Sequence, residues 1–144
     1  TTNGTAALLR AKEAALALVG SFANLTAVCE ATAHDPRPVH IVCCGTRDEI
    51  SMDDCLPAGA MVQRLTAAGR RLVSDDSARL ALLAYLATTF QEGGLVAAMR
   101  ASRGGRNLAN IGLGNDVDFC STLDTLPLVP RFDPEAGRVV RHDV

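Results

Sequence analysis

Val39-His40-Ile41-Val42-Cys43-Cys44-Gly45-Thr46, with Ser51 a few residues on, is the stretch that decides the expected fold. β-Branched and apolar residues fill the run, Gly and Thr close it, and an Ala-rich helical pattern follows, as when a buried strand delivers a loop to a helix start. The same order occurs upstream, where Leu16 to Val19 is closed by Gly20-Ser21-Phe22-Ala23-Asn24 and another helical stretch begins. If both runs are parallel strands, both junctions leave one carboxyl edge of one sheet, which is where open α/β folds bind ligands. The expected fold is α/β, a three-layer α/β/α sandwich with a mainly parallel or mixed central sheet.

A third junction, Thr1-Thr2-Asn3-Gly4-Thr5, stands at the start of the chain and reads as the end of a strand turning into a helix from Ala6 to Ala15. No strand precedes it. Residues 1–144 are therefore expected to be a single α/β lobe, the C-terminal part of something larger. Helix starts at all three junctions would present unpaired N–H groups and a positive dipole end, and Gly permits close backbone approach, which together suit a phosphate or another anion.

Composition narrows the partners. Hydrophobic residues make up 48% of the 144, enough for a real core, while aromatics are 3% with no Trp, so few rings could stack on nucleobases. The net charge of -2 offers no basic surplus against a phosphate backbone, so no nucleic-acid partner is expected, and Arg70-Arg71 reads as a solvated pair. No apolar run reaches the ~18 residues of a membrane span and no signal-like leader is present, so no membrane partner and a soluble, cytoplasmic protein are expected. The five cysteines have no CxxC and no paired spacing, which indicates neither a disulfide scaffold nor a zinc site.

Along the chain, Asn24 is the expected N-cap of a helix from Leu25 to about Ala33, stopped by Asp35-Pro36-Arg37-Pro38. Ser51 with Asp54 resembles a capping box for a helix to Ala68, ended by Gly69. Ser74 or Asp75 caps a nearly all-apolar helix to about Phe90, expected to be buried on most sides. Gly93-Gly94 breaks it. Leu95 to Ala101 is helical, Ser102-Arg103-Gly104-Gly105 is a Gly-flexed loop, Leu108 to Leu113 is helical again, and Asn115 caps a short helix toward Leu123. Pro127 to Pro130 and Arg138 to His142 flank Asp133-Pro134-Glu135-Ala136-Gly137 as a hairpin.

Each candidate site residue also has a plain structural reading. Asn3, Gly4 and Thr5, like Ser21 and Asn24, could hold phosphate oxygens or simply cap helices; Gly45 and Thr46 close the clearest strand. Asp53 and Asp54 could complement a helix dipole, or could hold magnesium, which takes one or two carboxylates plus water and substrate oxygens. Asp76 and Asp116 read as caps and salt-bridge partners. Ser102 and Arg103 could reach substrate, the guanidinium being suited to a sulfonate or carboxylate, or could be solvated. Cys43 would be the tempting nucleophile, but Arg47 leaves a C-x3-R spacing where cysteine phosphatases need C-x5-R, so Cys43 reads as a core thiol.

The ordered set Thr2-Asn3-Gly4-Thr5, Gly20-Ser21-Phe22 with Asn24, Cys43-Cys44-Gly45-Thr46, Ser51-Met52-Asp53-Asp54 with Ala58-Gly59, Asp76-Ser77-Ala78, Ser102-Arg103-Gly104-Gly105, Asp116 with Cys120, and Val129-Pro130 resembles the 2-phosphosulfolactate phosphatase family over nearly the whole chain. The resemblance implies a magnesium-dependent phosphoric monoester hydrolase that converts 2-phosphosulfolactate to sulfolactate and phosphate in coenzyme M biosynthesis, on a two-lobed α/β/α fold. It makes this chain the C-terminal part of a larger phosphatase whose N-terminal segment carries acidic candidates for metal binding. On this reading Asp54 is the catalytic group; Thr2, Asn3, Gly4, Thr5, Ser21, Asn24, Gly45, Thr46, Ser102 and Arg103 bind a small phosphomonoester; and Asp53 and Asp54 hold Mg2+. The missing N-terminal segment or a homo-oligomer is the expected protein partner. The alternative is a non-enzymatic anion-binding lobe, inactive without that segment.

Overall fold

Among the described residues of the computed structural model, which are 2–46, 49–73 and 76–142 with the side chains of Thr2 and Asn3 excepted, helices take the place of the expected sheet. In chain order the helices are α1 (Thr2–Arg10), α2 (Leu25–Ala33), α3 (Met52–Ala67), α4 (Asp76–Ala87), α5 (Gly94–Ala101), α6 (Arg103–Asn110) and α7 (Gly114–Cys120), and a hairpin of β1 (Pro130–Asp133) and β2 (Arg138–Arg141) closes the chain. The hairpin is antiparallel, pairing Pro130 with Arg141 and Asp133 with Arg138. Its first strand starts three residues later than the sequence pattern indicates. The Asp133 carboxylate fixes the turn by accepting from the N–H groups of Glu135 and Ala136, both at 3.1 Å.

The three-layer sandwich with a parallel or mixed central sheet is therefore a misreading. Leu18 makes an antiparallel bridge to Arg131, with Val19 N–H donating to Pro130 O and Phe132 N–H to Ala17 O at 2.9 Å, so Leu16 to Val19 lies along the free edge of β1. Val39 to Cys44 belongs to no strand, and Val42 is 71% exposed. Composition alone cannot make a strand: the ladder needs a neighbour, and the Leu16 to Val19 run has paired with β1 instead.

The core gathers on α3. Leu56, Ala60, Met61 and Leu65 meet Phe22, Leu25 and Cys29 on one side and Ala98, Met99 and Val117 on another. These positions recur at i, i+4, i+5 and i+9, one stripe of the helix. Gly59 lies where α4 crosses, because a Cβ there would sit 2.1 Å from Ala81 O and 2.8 Å from Tyr85 Cβ. The two backbones thus approach as closely as a bare glycine allows. The other face of α4 is uncovered: none of its residues is buried, and Leu80 and Leu83 are 65% and 62% exposed, against the expectation of burial on most sides. α3 can cover only one face of an all-apolar helix.

Two long-range contacts hold α2 at its ends. Asn24 does not cap it, and the helix start is met instead by Asp124, whose carboxylate accepts from Thr26 N–H at 2.6 Å and Thr26 Oγ1 at 2.7 Å, with Arg64 Nη2 at 3.2 Å. Asp124 has φ 58°, a left-handed conformation that Asp tolerates. At the other end Arg70, expected to be solvated, donates to the carbonyls of Thr32, Asp35 and Arg37, and so fixes the turn that leads into Val39.

The Asp124 contact gives a pH prediction. Burial pulls its carboxyl upward, but the hydroxyl and N–H of Thr26 and the charge of Arg64 outweigh it and hold the pKa below the usual value. A depressed carboxyl contributes stability that is present above the unfolded pKa, near 3.9, and lost as pH falls through the folded value. The Tm should fall on acidification below about pH 4. Asp124→Asn should lower Tm at neutral pH and flatten that acid limb; an unchanged limb in thermal melts would remove Asp124 from acid stability.

Candidate active site

Three segments chosen from the sequence meet at the first turns of α3 and α6. Gly45 reaches the start of α3, its N–H donating to Asp54 Oδ2 at 2.6 Å, and Gly45 adopts φ 67°, which favours glycine. Ser51, buried just before α3, does not cap the helix; its Oγ donates to Asp53 Oδ1 at 2.5 Å and stands 3.5 Å from Thr46 Oγ1. Pro57 has no N–H for the carbonyl of Asp53 four residues back, so the helix ladder is interrupted in the turn that bears both carboxylates.

Ser102 to Gly105 is not a flexed loop but the start of α6. Ser102 is its buried N-cap, with Oγ accepting from Gly105 N–H at 2.9 Å, and its hydroxyl lies close enough to Asp53 to favour the ionised carboxylate. Gly104 N–H donates to Asp53 Oδ1 at 3.3 Å, and a Cβ on Gly104 would fall 2.4 Å from Asp53 Oδ2. The carboxylate occupies the space a side chain would fill. Arg103 donates to the carbonyl of Thr46 at 3.3 Å and pairs with Glu49, a residue the sequence reading passed over. The local Thr46 to Glu49 bridge brings Glu49 there, and nothing in the linear pattern marks it.

Electrostatics separate the two carboxyls. Burial works against ionised Asp53, yet the donors from Ser51, Gly104 and Ser102 prevail and hold its pKa low. Burial pushes Asp54 up; the Gly45 N–H offsets part of this and the negative charge of Asp53 adds to it. A carboxylate held ionised beside one that takes a proton more readily is the arrangement by which enzymes assign different proton roles to neighbouring acids. Two helix N-termini also converge here, and their dipoles favour negative charge.

The other site residues lie elsewhere. Asn3, Gly4 and Thr5 fall within α1, whose start at Thr2 turns the expected loop into a first helical turn, and α1 packs chiefly on the turn of Ala11–Glu13. The side chains of Thr2 and Asn3 lie outside the described residues. Ser21 and Asn24 form a knot: Asn24 Oδ1 accepts from Ser21 N–H at 2.8 Å, and its Nδ2 donates to Val19 O at 3.0 Å and Leu128 O at 3.3 Å. Asn24 is buried, and these bonds tie the segment ahead of α2 to the one that leads into β1. Cys43 is exposed rather than core. Its thiol donates to Asp54 O at 3.5 Å, and partial burial, Cys55 and Asp54 push its pKa up to about 11, which leaves little thiolate for a nucleophile at neutral pH.

Among the described residues no group of three or more His, Cys, Asp or Glu is placed to hold a metal, and no helix is long and apolar enough to cross a membrane. Two surface clefts of about 350 and 380 Å3 lie away from the cluster, one lined by residues including Lys12, Arg131 and Glu135 and the other by residues including Glu30, Arg141 and His142. They bring together no set of catalytic groups comparable with the turns at Asp53 and Ser102.

The family model described as 2-phosphosulpholactate phosphatase matches residues 1–135. A probable 2-phosphosulfolactate phosphatase of Symbiobacterium thermophilum is 34% identical over 97% of this chain and 58% of its own length. Proteins of the same description from Deinococcus radiodurans and Caldanaerobacter subterraneus subsp. tengcongensis are 38% and 32% identical, over 93% and 92% of this chain and 55% and 53% of theirs. The chain thus spans little more than half the length of these curated relatives.

Proposed function

The chain belongs to the 2-phosphosulpholactate phosphatase family, and we propose that it supplies catalytic and binding groups to a phosphatase that splits 2-phosphosulfolactate into sulfolactate and phosphate. The observation that carries this reading is the convergence of Gly45-Thr46, Asp53-Asp54 and Ser102-Arg103-Gly104 on two helix N-termini. Phosphoryl transfer to water depends on positioning and charge neutralisation more than on a covalent partner, and a shelf of N–H groups, a guanidinium and carboxylates suits that need. In this reading Asp54, with its raised pKa, orients and deprotonates the attacking water, while Asp53 stays ionised. Arg103 turns from Glu49 to the sulfonate or carboxylate of the substrate, for which its planar fork is suited. Thr46 and Ser102 line the approach.

Asp53 and Asp54 fit a magnesium ion, since they are adjacent hard-oxygen donors and the charge of Asp53 bears on Asp54 with no compensating cation among its described neighbours. Bound there, magnesium would neutralise phosphoryl oxygens as the leaving group departs. Coenzyme M biosynthesis in the cytoplasm is the setting we assign to the reaction.

The relatives' greater length favours a second possibility for the isolated chain, an anion-binding lobe that becomes an enzyme only with further chain or a second copy beside it. The exposed Leu80 and Leu83 face of α4 is where such a neighbour would find apolar surface. Phosphate release from 2-phosphosulfolactate should depend on added magnesium, should be weak for residues 1–144 alone, and should be restored in a chain of the relatives' length. Hydrolysis at equal rates with and without a chelator would overturn the metal; full activity from residues 1–144 would show the site to be self-contained.

A further inference from the structure

Ser51 is 2% exposed and stands just before α3, yet its hydroxyl is not spent on capping the helix. A buried hydroxyl without a partner is costly, so this side chain must answer to something else. It answers to Asp53. Ser51 Oγ donates to Asp53 Oδ1 at 2.5 Å, and Thr46 Oγ1 donates to Ser51 Oγ at 3.5 Å, so the two hydroxyl protons point one way, from the Gly45 loop to the carboxylate. Gly104 N–H reaches the same Asp53 oxygen at 3.3 Å, and a Cβ on Gly104 would fall 2.4 Å from the other oxygen, Oδ2.

We propose that Ser51 is a positioning residue that acts through Asp53, holding its side chain in one rotamer, fastened at Oδ1, with Oδ2 as the oxygen offered to a cation. What that orientation is for rests on the phosphatase reading; the orientation itself does not. The hydroxyl is well placed to impose it, because the Ser51 carbonyl accepts from Asp54 N–H at 3.2 Å and Cys55 N–H at 3.0 Å, which fixes the backbone that carries it. A hydrogen bond to an ionised acceptor is roughly twice as strong as one between neutral groups, and at 2.5 Å this one is much the shorter of the two on Oδ1. Without it, the long bond from Gly104 is left to hold a side chain that otherwise moves among staggered rotamers. Partners that stand behind a metal-binding carboxylate and orient it typically change metal affinity by about 10- to 100-fold when removed.

The test measures two things on the folded protein. Three-bond NMR couplings from Asp53 Cγ to its own backbone N and carbonyl carbon report whether the side chain keeps one rotamer, and calorimetry gives the affinity for magnesium. The wild type should show the couplings of a single rotamer. Ser51→Ala should show averaged couplings at Asp53 and bind magnesium roughly 10- to 100-fold more weakly, with its far-UV circular dichroism unchanged. Asp54, held by Gly45 N–H, should keep its own couplings in that variant, which a general loosening of the helix start would not allow. Ser51→Cys, which replaces the hydroxyl by a weak donor, should behave as Ser51→Ala does. Averaged couplings in the wild type, unaltered Asp53 couplings in both variants, or averaging at Asp53 and Asp54 alike would overturn the proposal. A wild type that shows the expected couplings and their loss in the variants, but takes up no magnesium, would sink the metal reading and support the role of Ser51.

Discussion

Asp54→Asn is expected to lower phosphatase turnover by roughly 100- to 10,000-fold, the range over which a positioned acid or base contributes. Asn keeps the shape of the side chain and can still accept from Gly45 N–H, so the loop should stay in place and the melting curve should move little. What is lost is the proton acceptor and, with it, one of the two adjacent negative charges. Because burial and Asp53 raise the Asp54 pKa in the metal-free protein, magnesium should bind more weakly as pH falls through a value above that of an ordinary carboxyl, and the variant should lack that dependence. Steady-state kinetics at saturating magnesium decide the point: unaltered turnover would remove Asp54 from the chemistry.

The largest effect on stability is expected at Gly59. An added methyl would meet Ala81 O at 2.1 Å and Tyr85 Cβ at 2.8 Å, and the first of these is backbone in the middle of a helix, which cannot rotate away. Gly59→Ala must therefore push α4 off α3. Overpacking of this kind costs about 1–3 kcal/mol, against a gain of up to about 1 kcal/mol in helix propensity from replacing Gly. The net sign is destabilising, and Gly59→Val should be worse than Ala because its branches add volume at the same crossing. Urea unfolding checks this; an Ala variant as stable as the parent would mean that the helices do not cross in contact at Gly59.

Glycine positions show why parts of this molecule can be read from its sequence and others cannot. Ala58-Gly59 and Ser102-Arg103-Gly104-Gly105 stand out in the chain, and each Gly marks a place where another group comes too close for a Cβ: Ala81 at Gly59, Asp53 at Gly104 and the Met99 carbonyl at Gly105. Gly45-Thr46 and Asp53-Asp54 could be picked out because they lead into a helix start, where local sequence fixes both the backbone N–H groups and the residues that answer them, whereas Ser102 to Gly105 has a loop's composition and becomes a helix start only in the fold. The sheet could not. Val39 to Cys44 has a strand's composition, but pairing is a property of two segments, and Leu18 found Arg131 instead of a parallel neighbour. Asn24 shows the same limit on a smaller scale, since a cap and a ligand share one residue type, and the group that meets the α2 start, Asp124, is 98 residues away from Thr26.

The central claim, that the first turns of α3 and α6 with the Gly45 loop form one phosphate-handling site, is tested most directly by titrating inorganic phosphate into the magnesium-loaded protein and following amide resonances by NMR. The account predicts that Gly45, Thr46 and Gly104 shift together with one binding curve, and that Asp53→Asn abolishes the set. Shifts confined to the cleft around Lys12 and Arg131, with those three amides unmoved, would contradict it.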